Sequence, residues 1–151
     1  MLKTVLKRCI TLMLCVTMAI GLFGCNLSAT NGKRIVRIAL GQSETHPQYA
    51  GLVAFKEYVE ERLGDKYEVQ IFPNELLGAT QKAIELTQTG AIDFVVAGTA
   101  NLETFADVYE VFSMPYLFDS IESYKTVMQD TDYMEKVYES TDASGFRVLT
   151  W

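Results

Sequence analysis

The chain has 151 residues, 49% of them hydrophobic and 21% charged, with a formal charge of −6 and a pI near 4.8. That length suits one domain preceded by an address segment, and the ordinary apolar and aromatic content excludes a disordered chain. An acidic chain without a basic stripe is a poor partner for nucleic acid, and the composition excludes collagen, coiled-coil and disulfide-scaffold classes.

The charge is unevenly spread. Residues 1–24 hold Lys3, Lys7 and Arg8 and no acid, whereas the rest of the chain has 10 basic and 19 acidic residues, a balance of −9. Cys9–Phe23 has no charge, and a basic start followed by such a run reads as an export signal over residues 1–24. The competing reading is a transmembrane anchor, but the run is shorter than the ~20 residues that span a bilayer. Leu22-Phe23-Gly24-Cys25 resembles a bacterial lipobox, although Phe23 stands where a small residue is usual. Cys25 is then the lipidation site, and residues 25–33, polar and rich in Gly, Ser and Asn, form a lipid-anchored tether. Cys9 and Cys15 lie within the signal, so the body from residue 34 to 151 has no cysteine and one histidine, His46. A disulfide, a thiolate metal site and a histidine metal cluster are thereby excluded, and no EF-hand spacing is present; no cofactor or metal is expected.

The body opens with Arg34–Leu40, a β-branched apolar run read as a first strand, followed by the loop Gly41–His46. Pro47 suits the first turn of a helix, where its missing N–H costs nothing. Leu52, Phe55, Val59 and Leu63 then recur at helical spacing, and Gly64 is expected to close the helix as a left-handed C′ residue. Tyr67–Phe72 alternates in polarity as a second strand, Pro73–Gly78 is a loop, and Ala79–Thr89 is a second helix ended by Gly90. Ala91–Ala97 is almost continuously apolar and is expected to be a strand buried on both faces. After Gly98–Asn101 a short helix is expected near Asn101; two helices follow around Ile121–Met128 and Met134–Tyr138, and Phe146–Trp151 is expected to begin a further strand. Alternating strands and helices predict an α/β fold with a mostly parallel sheet.

In such a sheet the loops at 41–46, 73–78 and 98–101 share the carboxyl edge, the usual ligand crevice of open α/β folds. Each feeds a helix whose first N–H groups are free and whose dipole end is positive, so an anion is the natural guest. Gln42, Ser43, Glu44, Thr45 and His46 are dense in hydrogen-bonding groups; they read either as ligand contacts or as helix caps. Gly98-Thr99 reads as a close backbone approach or as a tight turn. Phe105, Tyr109, Phe112, Tyr116 and Phe118 form an aromatic belt around Met114-Pro115, mainly a core feature. Enzyme signatures are thin: no phosphate-binding glycine motif or nucleophile elbow occurs, and Ser43 and His46 flank one short loop with no acid behind the imidazole, so no catalysis is expected.

G-Q-S-E-T-H-P at 41–47, I-F-P-N-x-x-L-G at 71–78, Gly90-Ala91-Ile92-Asp93 and F-x-M-P-Y-L-F at 112–118, in this order and spacing, resemble the N-terminal half of the DctP-type substrate-binding subunit of tripartite ATP-independent periplasmic (TRAP) transporters. The resemblance covers Lys33–Trp151. It implies a periplasmic-binding-protein-like lobe of a two-lobed receptor that closes on an organic acid, such as a C4-dicarboxylate or a sugar acid. The receptor delivers its ligand to membrane permease subunits, at the outer face of the cytoplasmic membrane or in the periplasm. It implies Gln42, Glu44, His46, Gly98 and Thr99 as ligand-facing residues; some relatives have an acid at the place of Gly98. It also implies that the arginine clamping the ligand carboxylate lies beyond Trp151, since Arg37, Arg62 and Arg147 are poorly placed for that role. On this expectation the chain is an N-terminal fragment, truncated before the second lobe is complete. An ABC-type binding lipoprotein, which shares anchor and lobe architecture, is the alternative.

Overall fold

The computed structural model describes residues 32–151; the expected export signal, Cys25 and most of the expected tether lie outside the described residues. Three strands form one sheet in the order β2-β1-β3: β1 is Arg34–Leu40, β2 is Tyr67–Phe72 and β3 is Phe94–Val96. Both pairings are parallel, with Val36 opposite Val69, Ala39 opposite Phe72, and Leu40 opposite Val96. Parallel neighbours require crossovers. These are helix α1, Pro47–Leu63, between β1 and β2, and helix α2, Thr80–Gln88, between β2 and β3. The chain is therefore an α/β protein with a parallel sheet flanked by helices.

β1 is central, and its last three residues, Ile38, Ala39 and Leu40, are all buried. Successive side chains of a strand face opposite ways. Ala39 packs with Ala83 of α2 and with Ile92, while Ile38 and Leu40 serve the other face. A second cluster joins Ile84 of α2 to Leu102, Tyr109, Met134 and Val137. Helix α2 thus carries neighbouring residues, Ala83 and Ile84, into two different parts of the interior. The C-terminal part comprises 3₁₀ turns at Thr99–Asn101, Asp107–Ser113 and Asp142–Ser144, helix α3 at Ile121–Gln129 and helix α4 at Thr131–Glu139. Asp130 joins the last two, and its carboxylate caps α4 by accepting from the Tyr133 N–H at 3.0 Å.

Five sequence expectations need correction. The strand expected over Ala91–Ala97 is confined to Phe94–Val96 and is not buried on both faces: Phe94 is exposed and its neighbours are half-buried. Its first residues are spent closing α2, with the Ala91 and Ile92 N–H groups donating to the Leu86 carbonyl across Gly90 at φ +73°. The strand expected from Phe146 is extended chain without a ladder partner among the described residues. Arg147 is instead bound to Glu135, Glu139 and Asp142, and the Val148 N–H donates to the buried Thr141 hydroxyl at 3.3 Å. Gly64 is right-handed, φ −67°; a β-carbon there would strike the Glu60 carbonyl oxygen, so glycine is needed for space and not for a left-handed turn. The apolar stripe of α1 is only partly covered, Phe55 and Leu63 remaining exposed, with Phe55 set edge-on against Phe94 at 6.0 Å. The short helix near Asn101 is a 3₁₀ turn at Thr99–Asn101, followed by a second at Asp107–Ser113.

The aromatic belt divides. Tyr109 is fully buried and donates to the Val137 carbonyl at 3.2 Å, and burial pushes its phenol up to about 12. Phe105 meets Phe146, and Phe112 meets Trp151 at 4.7 Å. Tyr116 is 99% exposed and left-handed, φ +60°.

Candidate functional site at the carboxyl edge of the sheet

The parallel topology brings the ends of all three strands to one edge. Leu40 lies opposite Val96 at the ends of β1 and β3, so the loops that carry Gln42 and Gly98 both leave the sheet at this edge. On the other side of β1 the second loop is tied directly to the first: the Asn74 N–H donates to the Gln42 carbonyl at 3.0 Å, and the Glu75 N–H to the Leu40 carbonyl at 3.2 Å. These bonds hold Asn74 and Glu75 in the left-handed region, φ 54° and 56°, and Gly78 follows at φ 108°. Non-glycine residues pay ~1–3 kcal/mol for that conformation and keep it only where surrounding contacts enforce it. The backbone bonds to β1 and its loop supply the enforcement.

The first loop is ordered by its own polar groups. The Ser43 and Thr45 hydroxyls bond at 2.9 Å, and the His46 N–H donates to the Ser43 carbonyl at 3.0 Å. His46 is the N-cap of α1, its Nδ1 accepting from the Gln48 N–H at 3.2 Å. That bond makes Nδ1 the unprotonated nitrogen, leaving Nε2–H as a free donor. The capping alternative therefore holds for His46, without withdrawing its outer nitrogen from a ligand. Gln42 and Glu44 are exposed, and neither side chain is engaged by the described residues.

The third loop is barer. Gly98 is the N-cap of the 3₁₀ turn and provides no side-chain cap, so the N–H groups that open the turn are not satisfied by a side chain of Gly98. The Asn101 amide lies 3.6 Å from the point where a β-carbon on Gly98 would stand. Helix α2 likewise begins without a side-chain cap, after Ala79. Two uncapped N-termini and one capped by histidine thus face the same edge, the arrangement that favours an anionic group.

Of the five ligand-facing residues read from the sequence, Gln42, Glu44 and His46 belong to the loop after β1, and Gly98 and Thr99 to the loop and turn after β3 at the same edge. Asn74, Glu75 and Asn101 also reach this edge and were not singled out. The Pro-Asn turn in the second loop was the available signal, since asparagine tolerates the left-handed region.

Three of the arginines are held in ion pairs. Arg34 pairs with Asp93 at 3.2 Å, Arg62 with Glu61 at 3.0 Å while lying over the Tyr58 ring, and Arg147 with three carboxylates. Hydrogen bonding to Arg147 holds the Asp142 carboxyl below its ordinary range and raises the guanidinium in return. Arg37 projects from mid-β1. Among the described residues no group of three His, Cys, Asp or Glu side chains is placed to hold a metal ion, and no helix is long and apolar enough to cross a membrane. A separate groove of about 440 Å³ is lined mainly by Val111, Phe112, Leu117, Phe118, Val127 and Tyr133, and contains none of the carboxyl-edge residues.

The chain is similar to known proteins in sequence and in fold. Residues 38–151 match the DctP family model, bacterial extracellular solute-binding protein, family 7. The Salmonella typhimurium protein YiiZ is 38% identical over 122 residues, covering 81% of this chain and 37% of the relative. The C4-dicarboxylate-binding periplasmic protein DctP of Shewanella loihica is 24% identical over 124 residues, 82% of this chain and 37% of the relative. A TRAP periplasmic solute-binding protein from Anaerococcus prevotii, crystallised with α/β D-glucuronate, is 51% identical with a TM-score of 0.76, over 79% of this chain and 39% of that one. The chain thus spans well under half the length of these relatives.

Proposed function

The chain belongs to the DctP family, family 7 of the bacterial extracellular solute-binding proteins, and from that premise we propose that it supplies one lobe of a TRAP-type receptor for an organic acid. The carrying observation is the shared carboxyl edge, from which the loops with Gln42 and Gly98 both leave the sheet and where helix N-termini gather. In this reading Gln42, Glu44, His46, Gly98 and Thr99 face the solute. His46 contributes Nε2–H as a donor to a carboxylate or hydroxyl oxygen, Gln42 and Glu44 sort hydroxyl groups, and Gly98 and Thr99 offer backbone N–H groups. The acid is a C4-dicarboxylate or a sugar acid, in keeping with the dicarboxylate-binding and glucuronate-bound relatives.

The receptor delivers the acid to membrane permease subunits; the family match favours a TRAP permease over an ABC-type partner. Its role is capture, not catalysis. With Arg34, Arg62 and Arg147 held by carboxylates, the planar two-point grip on the ligand carboxylate comes from outside these residues. In the same reading residues 1–24 direct export, Cys25 carries the lipid, 25–33 form the tether and 34–151 the receptor body. Labelling with a radioactive fatty acid checks the anchor: a Cys25→Ser protein that still takes label rules it out.

Binding is tested by thermal shift and calorimetry on the full-length protein with D-glucuronate, L-malate and succinate. A ligand that binds only the native state raises its melting temperature by mass action, about 2.7 kcal/mol of added stability at a hundredfold excess over Kd. No shift with any organic acid overturns the receptor reading.

A further inference from the structure

We propose that Glu75 is a specificity-determining residue of the carboxyl edge, its carboxylate receiving solute hydroxyl groups and tuning the site to polyhydroxylated monocarboxylic acids over C4-dicarboxylates. The proposal rests on the receptor reading above and names the solute subclass. Glu75 follows β2 and is fixed at φ 56° by its N–H bond to the Leu40 carbonyl. Its side chain folds back over Gly41. A β-carbon on Gly41 would stand 3.8 Å from Glu75 Oε1 and 3.1 Å from Thr80 Oγ1. The Glu75 carboxylate and the Thr80 hydroxyl therefore wall the backbone of Gly41 closely at the start of the ligand loop, leaving too little room for a methyl there.

Neither wall is used by the protein. The Glu75 carboxylate and the Thr80 hydroxyl have no hydrogen-bond or ion-pair partner among the described residues, and the adjacent Gln42 amide has none either. Other carboxylates of the body are engaged: Asp93 holds Arg34 and the Arg37 N–H, Glu60 accepts from the Val69 N–H, and Glu85 holds Lys82. An ionised carboxylate is an acceptor only. Solute hydroxyls form strong charge-assisted bonds to it, whereas a second solute carboxylate arriving there meets like charge at close range. One acid group and several hydroxyls is the chemistry that satisfies both the helix N-termini and Glu75.

The test is calorimetry on the full-length protein with D-glucuronate and succinate as probes, for wild type, Glu75→Gln and Glu75→Gly. Glycine is at ease at positive φ, so Glu75→Gly should melt no lower than wild type and separates a binding effect from a folding effect. Wild type is expected to prefer D-glucuronate. Both variants should weaken D-glucuronate at least tenfold while leaving succinate unchanged or tighter. Equal weakening of both acids, or of neither, overturns the proposal while the receptor reading stands. Failure of wild type to bind either acid, or any other organic acid, overturns the receptor reading and this proposal with it.

Discussion

Ile84 is the side chain whose loss tells most about how this body is held together. It is fully buried and stands in one cluster with Leu102, Tyr109, Met134 and Val137, while the adjoining Ala83 packs with Ala39 beneath the sheet. Ile84→Ala removes three carbons from a site bounded by α2, the first 3₁₀ turns and α4, elements that cannot all close the gap without moving the sheet. Truncations of this kind cost 2–5 kcal/mol, and a site walled on several sides belongs near the middle, about 3 kcal/mol. With a urea slope of about 1.5 kcal/mol per M, the unfolding midpoint falls by roughly 2 M, a large part of the stability of a small domain. Urea unfolding followed by far-UV circular dichroism measures it. Ile121→Ala is the control: its side chain is 67% exposed on the first turn of α3, and its truncation should stay within about 0.5 kcal/mol. A loss under about 1 kcal/mol for Ile84→Ala, or equal losses for the two variants, refutes the claim that α2 ties the sheet to the C-terminal helices.

His46→Ala should cost about 1 kcal/mol by uncapping α1, and His46→Asn, which restores a capping oxygen, should recover most of it in the same urea titration. Tyr109→Phe should cost only about 1 kcal/mol, because the Val137 carbonyl still accepts from the Ser140 hydroxyl. The raised Tyr109 phenol makes its contribution complete below the ordinary phenol value near 10 and lost as pH rises towards about 12, so the alkaline fall in melting temperature should be shallower in Tyr109→Phe. Asp142 has the opposite sign: its lowered carboxyl stabilises the fold above the ordinary carboxylate range, and that contribution disappears as pH falls through the depressed value. Arg147→Gln should flatten the acid limb of a melting-temperature profile, and high salt should shrink the difference between variant and wild type.

Local pattern carried much of the fold. The periodicity of 34–40 and 67–72, Pro47 at a helix start and the glycine after α2 are short-range signals, and the structure follows them. The departures arise where a partner decides. Phe146–Trp151 has strand-forming residues, but a strand needs a neighbour to complete its ladder, and here Arg147 and Val148 are claimed by α4 and Thr141. Ala91 and Ile92 are apolar enough for a strand, yet the turn out of α2 consumes their N–H groups first, and only from Asp93 does the chain bond to β1. At the candidate site, the glycines and the polar density of 41–46 were legible because they are compositional. Glu75 was not, since its approach to Gly41 depends on Asn74 and Glu75 both turning left-handed.

The distribution of charge at the edge bears on how such a lobe works. Glu44 and Glu75 bring two carboxylates to the edge, Lys82 beside Gly78 is paired with Glu85, and a further positive contribution comes from backbone N–H groups at the starts of α2 and the 3₁₀ turn. Partial charges of helix ends act within about one turn and are worth ~0.3–1 kcal/mol each near solvent. By themselves they hold an anion weakly, and two carboxylates nearby weaken the hold further. Such an edge discriminates more than it grips. On the receptor reading proposed above, it would accept a solute whose acid group points away from Glu44 and Glu75 and whose hydroxyls point towards them, with the gripping charge supplied by other residues. Substituting Glu44 and Glu75 together by glutamine should therefore change the ranking of acids, weakening hydroxylated monocarboxylic acids while leaving dicarboxylates unchanged or tighter. A double variant that binds every acid more tightly by the same factor would instead make the edge a simple electrostatic barrier and contradict this division of labour.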